Sequence, residues 1–264
     1  MKKYLVIGNP IDHTFSPKLH NYWIKKKNIN AVYDKKKINQ NDIESIISEI
    51  KREKINGANV TIPFKKLVIP FMDELTQESE ESQSVNMIYL QNGKVVGHNT
   101  DISGFELGIK YCKYDTKNKI VLILGSGGVV SSLIIALKKM GVSKIIVSNR
   151  TKIKAEDLKK QFNEIEIVNW GETPNFDMVV NATSIGLNNE DGIKLNYSEI
   201  GHNKFFYDII YNPKETIFLK RAKLFGNKTE NGKMMFIYQA HQSFVIWHKT
   251  LPDIDDETIN LLDK

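Results

Sequence analysis

Residues 120–151, IVLILGSGGVVSSLIIALKKMGVSKIIVSNRT, limit the possible folds more than any other stretch of the chain. Ile120 to Leu124 is an apolar run of strand length, and Gly125, Gly127 and Gly128 follow at once. Val129, Val130, Leu133, Ile134, Leu137 and Met140 then recur at helical spacing until Gly141 ends the pattern, and a second apolar run closes on Asn149, Arg150 and Thr151. Strand, glycine turn, helix and strand in that order predict a parallel unit in which the turn brings backbone close to a pyrophosphate. The phosphate would sit at the helix N-terminus, where unpaired N–H groups and the helix dipole favour negative charge.

The end of the second strand selects between dinucleotides. An NAD site places Asp or Glu there for the ribose 2′-hydroxyl, and an NADP site uses Arg for the 2′-phosphate. This chain has Arg150 and no carboxylate, with Lys152 and Lys154 close by, so the expected cofactor is NADP. A G-x-G-G run by itself also fits an ordinary tight turn, and it is the ordered context that favours the nucleotide.

At 264 residues the chain is near the size at which a single core stops growing, and two domains are expected. No apolar run approaches the roughly 18 residues of a membrane span, and the start, MKKYLVIGNP, lacks the features of a signal peptide, so a cytoplasmic location is expected. The single Cys112 excludes an internal disulfide framework, and the six histidines show no zinc spacing, so no metal is expected. Net charge is +6, but Lys25 to Lys27 and Lys35 to Lys37 carry no interleaved stacking aromatics. They read as solvated faces that draw in small anions, with no nucleic-acid or membrane partner.

Tyr4 to Ile7 reads as a buried strand, Ile43, Ile46, Ile47 and Ile50 share a helical face, and Ala58 to Ile62 reads as a strand stopped by Pro63. The alternation predicts an α/β class with a small α/β domain over 1–101 and a Rossmann-like domain over 102–233 that includes strands at Met178 to Ala182 and Phe205 to Tyr211. Helices over 234–264 would return to the first domain, with Met235, Tyr238, Gln239, Gln242 and Ile246 on one face.

Polar residues gather where the first domain's apolar strands end: Thr14 and Ser16, Thr61 and Lys65, Asn86, and Asn99 to Asp101. Together they suit a hydroxyl-rich or carboxylated ring. Singly, Thr14 and Ser16 also read as turn residues, Asn86 as a partner for backbone groups, and Asp101 as a helix cap. Lys65 follows a strand end, where it would give a proton to a carbonyl oxygen during hydride transfer and take it back in the reverse direction, with Asp101 orienting it.

Nine segments resemble, in order and spacing, the shikimate dehydrogenases: GNPIDHTFSPKLHN, GANVTIPFK, SVNMI, GHNTD, LGSGGV, SNRT, NATSIG, YDIIYNP and NGKMMFIYQA. The resemblance implies reversible, NADPH-dependent reduction of 3-dehydroshikimate to shikimate, a step toward chorismate and the aromatic amino acids. It also implies substrate contacts from Thr14, Ser16, Thr61, Lys65, Asn86, Asp101, Tyr211 and Gln239, with Lys65 as general acid and base beside Asp101. Cofactor contacts would come from Gly125, Ser126, Gly127, Gly128, Val129, Asn149, Arg150, Thr151 and Lys154. Ala182, Thr183, Ser184, Ile209 or Ile210, and Met234 would line the nicotinamide side. The protein would be a monomer or homodimer with a small-molecule substrate.

Three positions depart from the family pattern: Thr14 replaces Ser, Val129 replaces a small residue, and Lys233-Met234 replaces Leu-Gly. They bear on affinity and leave every catalytic group in place. Two rivals keep the fold, a quinate-using enzyme and a silent ligand sensor; Arg150 counts against the first's usual NAD, and Lys65 with Asp101 against the second. A nucleic-acid-binding protein rests on net charge alone.

Overall fold

A computed structural model describes residues 1–188 and 192–263 as two compact units, 1–104 with 237–264 and 105–236. In the first, β1 (Lys2–Gly8), α1 (Ser16–Lys26), β2 (Ala31–Lys37), α2 (Ile43–Lys51) and β3 (Gly57–Val60) come in turn. They are followed by β4 (Glu74–Leu75), α3 (Gln77–Ser82), β5 (Met87–Gln91) and β6 (Lys94–His98). These six strands form a mixed sheet in the order β2-β1-β3-β5-β6-β4, with β1 parallel to β2 and β3, and β5 antiparallel to β3 and β6. Ile43, Ile46, Ile47 and Ile50 of α2 are buried as their spacing predicted and pack with Ile7, Ala58, Val60 and Ile88. β3 is shorter than the sequence suggested, because Phe64 N–H donates to the Thr61 carbonyl and turns the chain there.

The helix α4 (Asp101–Tyr111) leads into the second unit: β7 (Ile120–Leu124), α5 (Val130–Lys139), β8 (Lys144–Ser148), α6 (Lys152–Gln161), β9 (Glu166–Val168) and β10 (Met178–Asn181). Next come α7 (Tyr197–Ile200), β11 (Phe205–Asp208), α8 (Ile217–Leu224) and β12 (Lys228–Glu230). All six strands are parallel, in the order β12-β11-β10-β7-β8-β9. That is the doubly wound dinucleotide topology, whose order reverses between β7 and β10. β7, β10 and β11 are almost wholly buried, as parallel strands covered on both faces must be, which explains their unbroken apolar runs.

The chain ends in α9 (Lys233–His248) and α10 (Asp256–Leu261). The face predicted for α9 is the half-buried one, apart from Met235; the deepest positions of its second half are Ile237, Ala240, Ser243, Phe244 and Trp247. The five residues do share a face; the deeper side lies elsewhere because the helix carries apolar residues around most of its circumference, and Trp247 enters a notch at Gly57, where a Cβ would lie 2.3 Å from its indole nitrogen. Among the described residues no helix is long and apolar enough to cross a membrane, and no group of three or more His, Cys, Asp or Glu is arranged to hold a metal ion.

Candidate active site

The first unit's sheet brings the predicted polar residues to one edge. β1 and β3 run parallel with Ile7 opposite Val60, so Thr14 and Ser16 after β1 leave on the same side as Thr61 and Lys65 after β3. Antiparallel pairing of β5 with β3 and β6 puts Asn86, just before β5, and Asp101, just after β6, at that same edge.

Lys65 Nζ lies 2.5 Å from Asp101 Oδ2, and both side chains are largely withdrawn from solvent, at 15% and 7% exposure. The other oxygen, Oδ1, accepts from Asn86 Nδ2 at 2.9 Å. Asn86 is locked in turn: its Oδ1 accepts from Thr100 N–H at 2.7 Å and its Nδ2 also donates to Thr100 Oγ1. Asn86 therefore serves a backbone group, as one reading of it expected, and holds the Asp101 carboxylate as well. Nor is Asp101 the helix cap: Asn99 Oδ1 accepts from the N–H groups of Asp101 and Ile102, which leaves both oxygens of Asp101 for Lys65 and Asn86. Asn99 is anchored by donating to Ser82 Oγ and the Ser84 carbonyl. Thr14 and Ser16 bond to each other, Thr14 Oγ1 also accepting from Ser16 N–H, so the turn reading holds while their hydroxyls stay together. Gln239 is half-buried on α9, and its carbonyl accepts from Ser243 Oγ.

In the second unit the turn after β7 stands at the reversal of strand order, where open α/β sheets bind ligands beyond their strand ends. Gly125 has φ +116°, and a Cβ there would lie 2.7 Å from the Ala182 carbonyl oxygen after β10. Its N–H donates to the Ser148 carbonyl and ties the turn to the end of β8. Gly127 differs: it is exposed, and a Cβ on it would meet no atom within 4 Å. The turn thus leaves open the space a pyrophosphate needs in front of α5, whose first turn has no acidic residue. Asn149, Arg150 and Thr151 follow β8, with Asn149 Nδ2 donating to the Thr151 carbonyl. Arg150 is exposed, as is Lys154 on α6, and Arg150 is paired with no carboxylate among the described residues. This set fits a dinucleotide carrying a 2′-phosphate. Ala182, Thr183 and Ser184 leave the end of β10, Ile209 and Ile210 that of β11, the ring of Tyr211 stacks on Phe236 with centroids 4.4 Å apart, and Met234 is buried.

Residues 6–88 match the shikimate dehydrogenase substrate binding domain, and residues 107–209 match the shikimate / quinate 5-dehydrogenase family. A curated shikimate dehydrogenase (NADP(+)) of Pelagibacter ubique is 61% identical over 262 residues, covering 99% of each chain. The chain belongs to the shikimate dehydrogenase family. Among solved structures, a shikimate dehydrogenase in complex with NADP+ matches at 32% identity and TM-score 0.92, over 100% of this chain and 95% of the other. The Thermus thermophilus shikimate 5-dehydrogenase in complex with NADP(H) and shikimate matches at 26% identity and TM-score 0.90, over 100% and 99%. The fold seen here is therefore the family's two-domain α/β fold, and the chain is an oxidoreductase.

Sequence reasoning missed the residues that hold this family's motifs in shape. Asn59 lies in fully buried β3, where its Oδ1 accepts from Tyr33 OH and its Nδ2 donates to the Asn86 carbonyl and Ser243 Oγ. Asn181 and Asp208, buried at the ends of β10 and β11, belong to the same class. The signal was a polar residue inside or ending an apolar strand, which must find partners once buried.

Proposed function

We propose that this chain reduces 3-dehydroshikimate to shikimate with NADPH, reversibly, on the way to chorismate and the aromatic amino acids. The observation that carries the reading is the Lys65 ammonium 2.5 Å from one oxygen of Asp101, whose other oxygen is held by Asn86. NADPH supplies the hydride that converts the C3 ketone into a carbinol. Lys65 gives a proton to the C3 oxygen as that carbon is reduced, and recovers it when shikimate is oxidised. Asp101 fixes the direction of the ammonium, and Asn86 fixes Asp101.

The remaining substrate contacts are assigned to Thr14 and Ser16 for the ring carboxylate, and to Thr61, Asn86, Tyr211 and Gln239 for the rest of the ring. Arg150 with Lys154, Asn149 and Thr151 takes the 2′-phosphate, and Gly125 to Val129 the pyrophosphate. Ala182, Thr183, Ser184, Ile209 and Met234 are assigned to the nicotinamide side. The enzyme is read as cytoplasmic, a monomer or homodimer whose partners are small molecules.

The test follows reduced-nicotinamide absorbance with 3-dehydroshikimate, using NADPH and NADH, beside the reverse reaction with shikimate and with quinate. Turnover confined to NADPH and the shikimate pair is expected. Equal turnover of quinate with NAD would replace the reading with that of a quinate enzyme.

A further inference from the structure

The end of β11 carries a carboxylate that the proposed chemistry does not use. Asp208 is 0% exposed, and no lysine or arginine pairs with it among the described residues. Its three hydrogen bonds come from the last residue of β10 and from the loop that follows β11. Oδ1 accepts from Ile210 N–H at 3.0 Å and from Asn181 Nδ2 at 3.1 Å, and Oδ2 accepts from Thr216 Oγ1 at 2.6 Å.

Asn181, directly opposite Asp208 in the sheet, extends the hold to the neighbouring loop. Its Oδ1 accepts from both the N–H and the hydroxyl of Thr183, and its Nδ2 also donates to the Ile185 carbonyl. Thr183 Oγ1 in turn accepts from Ile185 N–H. On the other side Thr216 caps α8 through Leu219 N–H, and its methyl lies against Gly186, where a Cβ would come within 3.1 Å of it. Segments 182–186 and 209–216 are thus tied to a single buried anion.

Burial pushes the Asp208 carboxyl up to about 6, against the lowering effect of its bonds to Thr216, Ile210 and Asn181. A carboxylate in so unfavourable a place, with no cation beside it among the described residues, is poorly explained by stability, because an unpaired buried carboxylate costs free energy. It is well explained by the need of two loops for one strong, multivalent acceptor, since bonds to an ionised acceptor are roughly twice as strong as neutral ones.

We infer that Asp208 is a positioning residue for the nicotinamide half of the cofactor, acting through Asn181 and Thr216 to set the loops that carry Ala182, Thr183, Ser184, Ile209 and Tyr211. This rests on the assignments made above, of Ala182, Thr183, Ser184 and Ile209 to the nicotinamide side and of Tyr211 to the substrate ring. The hydrogen bonds of Asp208 go to Asn181, Ile210 and Thr216, and to none of the residues assigned above to the pyrophosphate and the 2′-phosphate. Loss of its charge should separate the two halves of the cofactor in binding.

The test compares the full-length wild type, Asp208→Asn and Thr216→Val, titrating each with NADPH and with 2′,5′-ADP, which lacks nicotinamide, and measuring turnover of 3-dehydroshikimate. For both variants kcat is expected to fall roughly 10-fold or more, the scale of losing one bond to a charged group, with NADPH binding weakened several-fold and 2′,5′-ADP affinity kept within about two-fold. The valine variant supplies the answer if the asparagine one does not fold. Equal weakening of NADPH and 2′,5′-ADP would show general damage to the domain and overturn the inference. So would NADPH affinity and turnover both staying within about two-fold of wild type. A wild type inactive on 3-dehydroshikimate would refute the functional reading instead, and the ratio of the two affinities would still decide the role of Asp208.

Discussion

The imidazole of His20 lies flat on the ring of Tyr33, with centroids 4.2 Å apart and planes 2° from parallel. Trp23, Phe244 and Trp247 complete its surroundings, and neither ring nitrogen has a hydrogen-bond partner among the described residues. Burial, and then the charge of His248, lowers its pKa to about 3. The unfolded chain takes up a proton near pH 6.5 that the folded chain refuses, so stability is full above about 6.5 and falls as pH drops toward 3, by on the order of 4–5 kcal/mol in all. His248, lowered to about 4 mainly by burial, acts in the same direction. His20→Phe should therefore flatten the decline of Tm between pH 6.5 and pH 4, and a slope identical to wild type would remove His20 as a cause.

Lys65→Ala should lower kcat by about 10²–10⁴ with KM for 3-dehydroshikimate changed much less, as expected for loss of a general acid and base. Steady-state kinetics in both directions decide it. A rise in KM with kcat preserved would reduce Lys65 to a binding group.

Arg150 is exposed, so its removal should leave the fold intact. Arg150→Ala should raise KM for NADPH by about 10–100-fold, the scale of charge-assisted bonds to a phosphate, and leave the response to NADH little affected. Parallel loss with both cofactors would disprove the 2′-phosphate contact.

Two glycines of one turn should fail in different ways. At Gly125 an added Cβ would strike the Ala182 carbonyl oxygen, and φ is +116°, so Gly125→Ala should destabilise the protein by about 1–3 kcal/mol or more. At Gly127 there is room, so Gly127→Ala should keep the wild-type Tm while weakening NADPH binding. Thermal melts beside NADPH titrations separate the two, and a normal melt for Gly125→Ala would contradict the close approach.

The candidate nucleotide site was legible because its proposed groups are near neighbours in the chain: strand, turn, helix and Arg150 all fall within residues 120–151. Lys65 and Asp101 were legible as candidates because each follows a strand end. Their partnership was expected, and the structure bears it out; what was not legible is how it arises across 36 residues, through the antiparallel pairing of β5 with β3 and β6 that brings both to one edge. Asp101 also reads as a helix cap until Asn99 is seen to fill that role.

By itself the sequence determined the α/β class, the glycine turn, the preference for a 2′-phosphate and the polar residues able to meet a substrate. Those follow from local periodicity, from backbone sterics at glycine and from the charge of single side chains. Tertiary structure alone decided which face of α9 is buried, what Asn59 binds, and which groups hold Asp208 where it lies buried at the end of β11. Each of these depends on groups far apart in the chain that must find hydrogen-bond partners once water is excluded, and a one-dimensional pattern does not specify which partners those are.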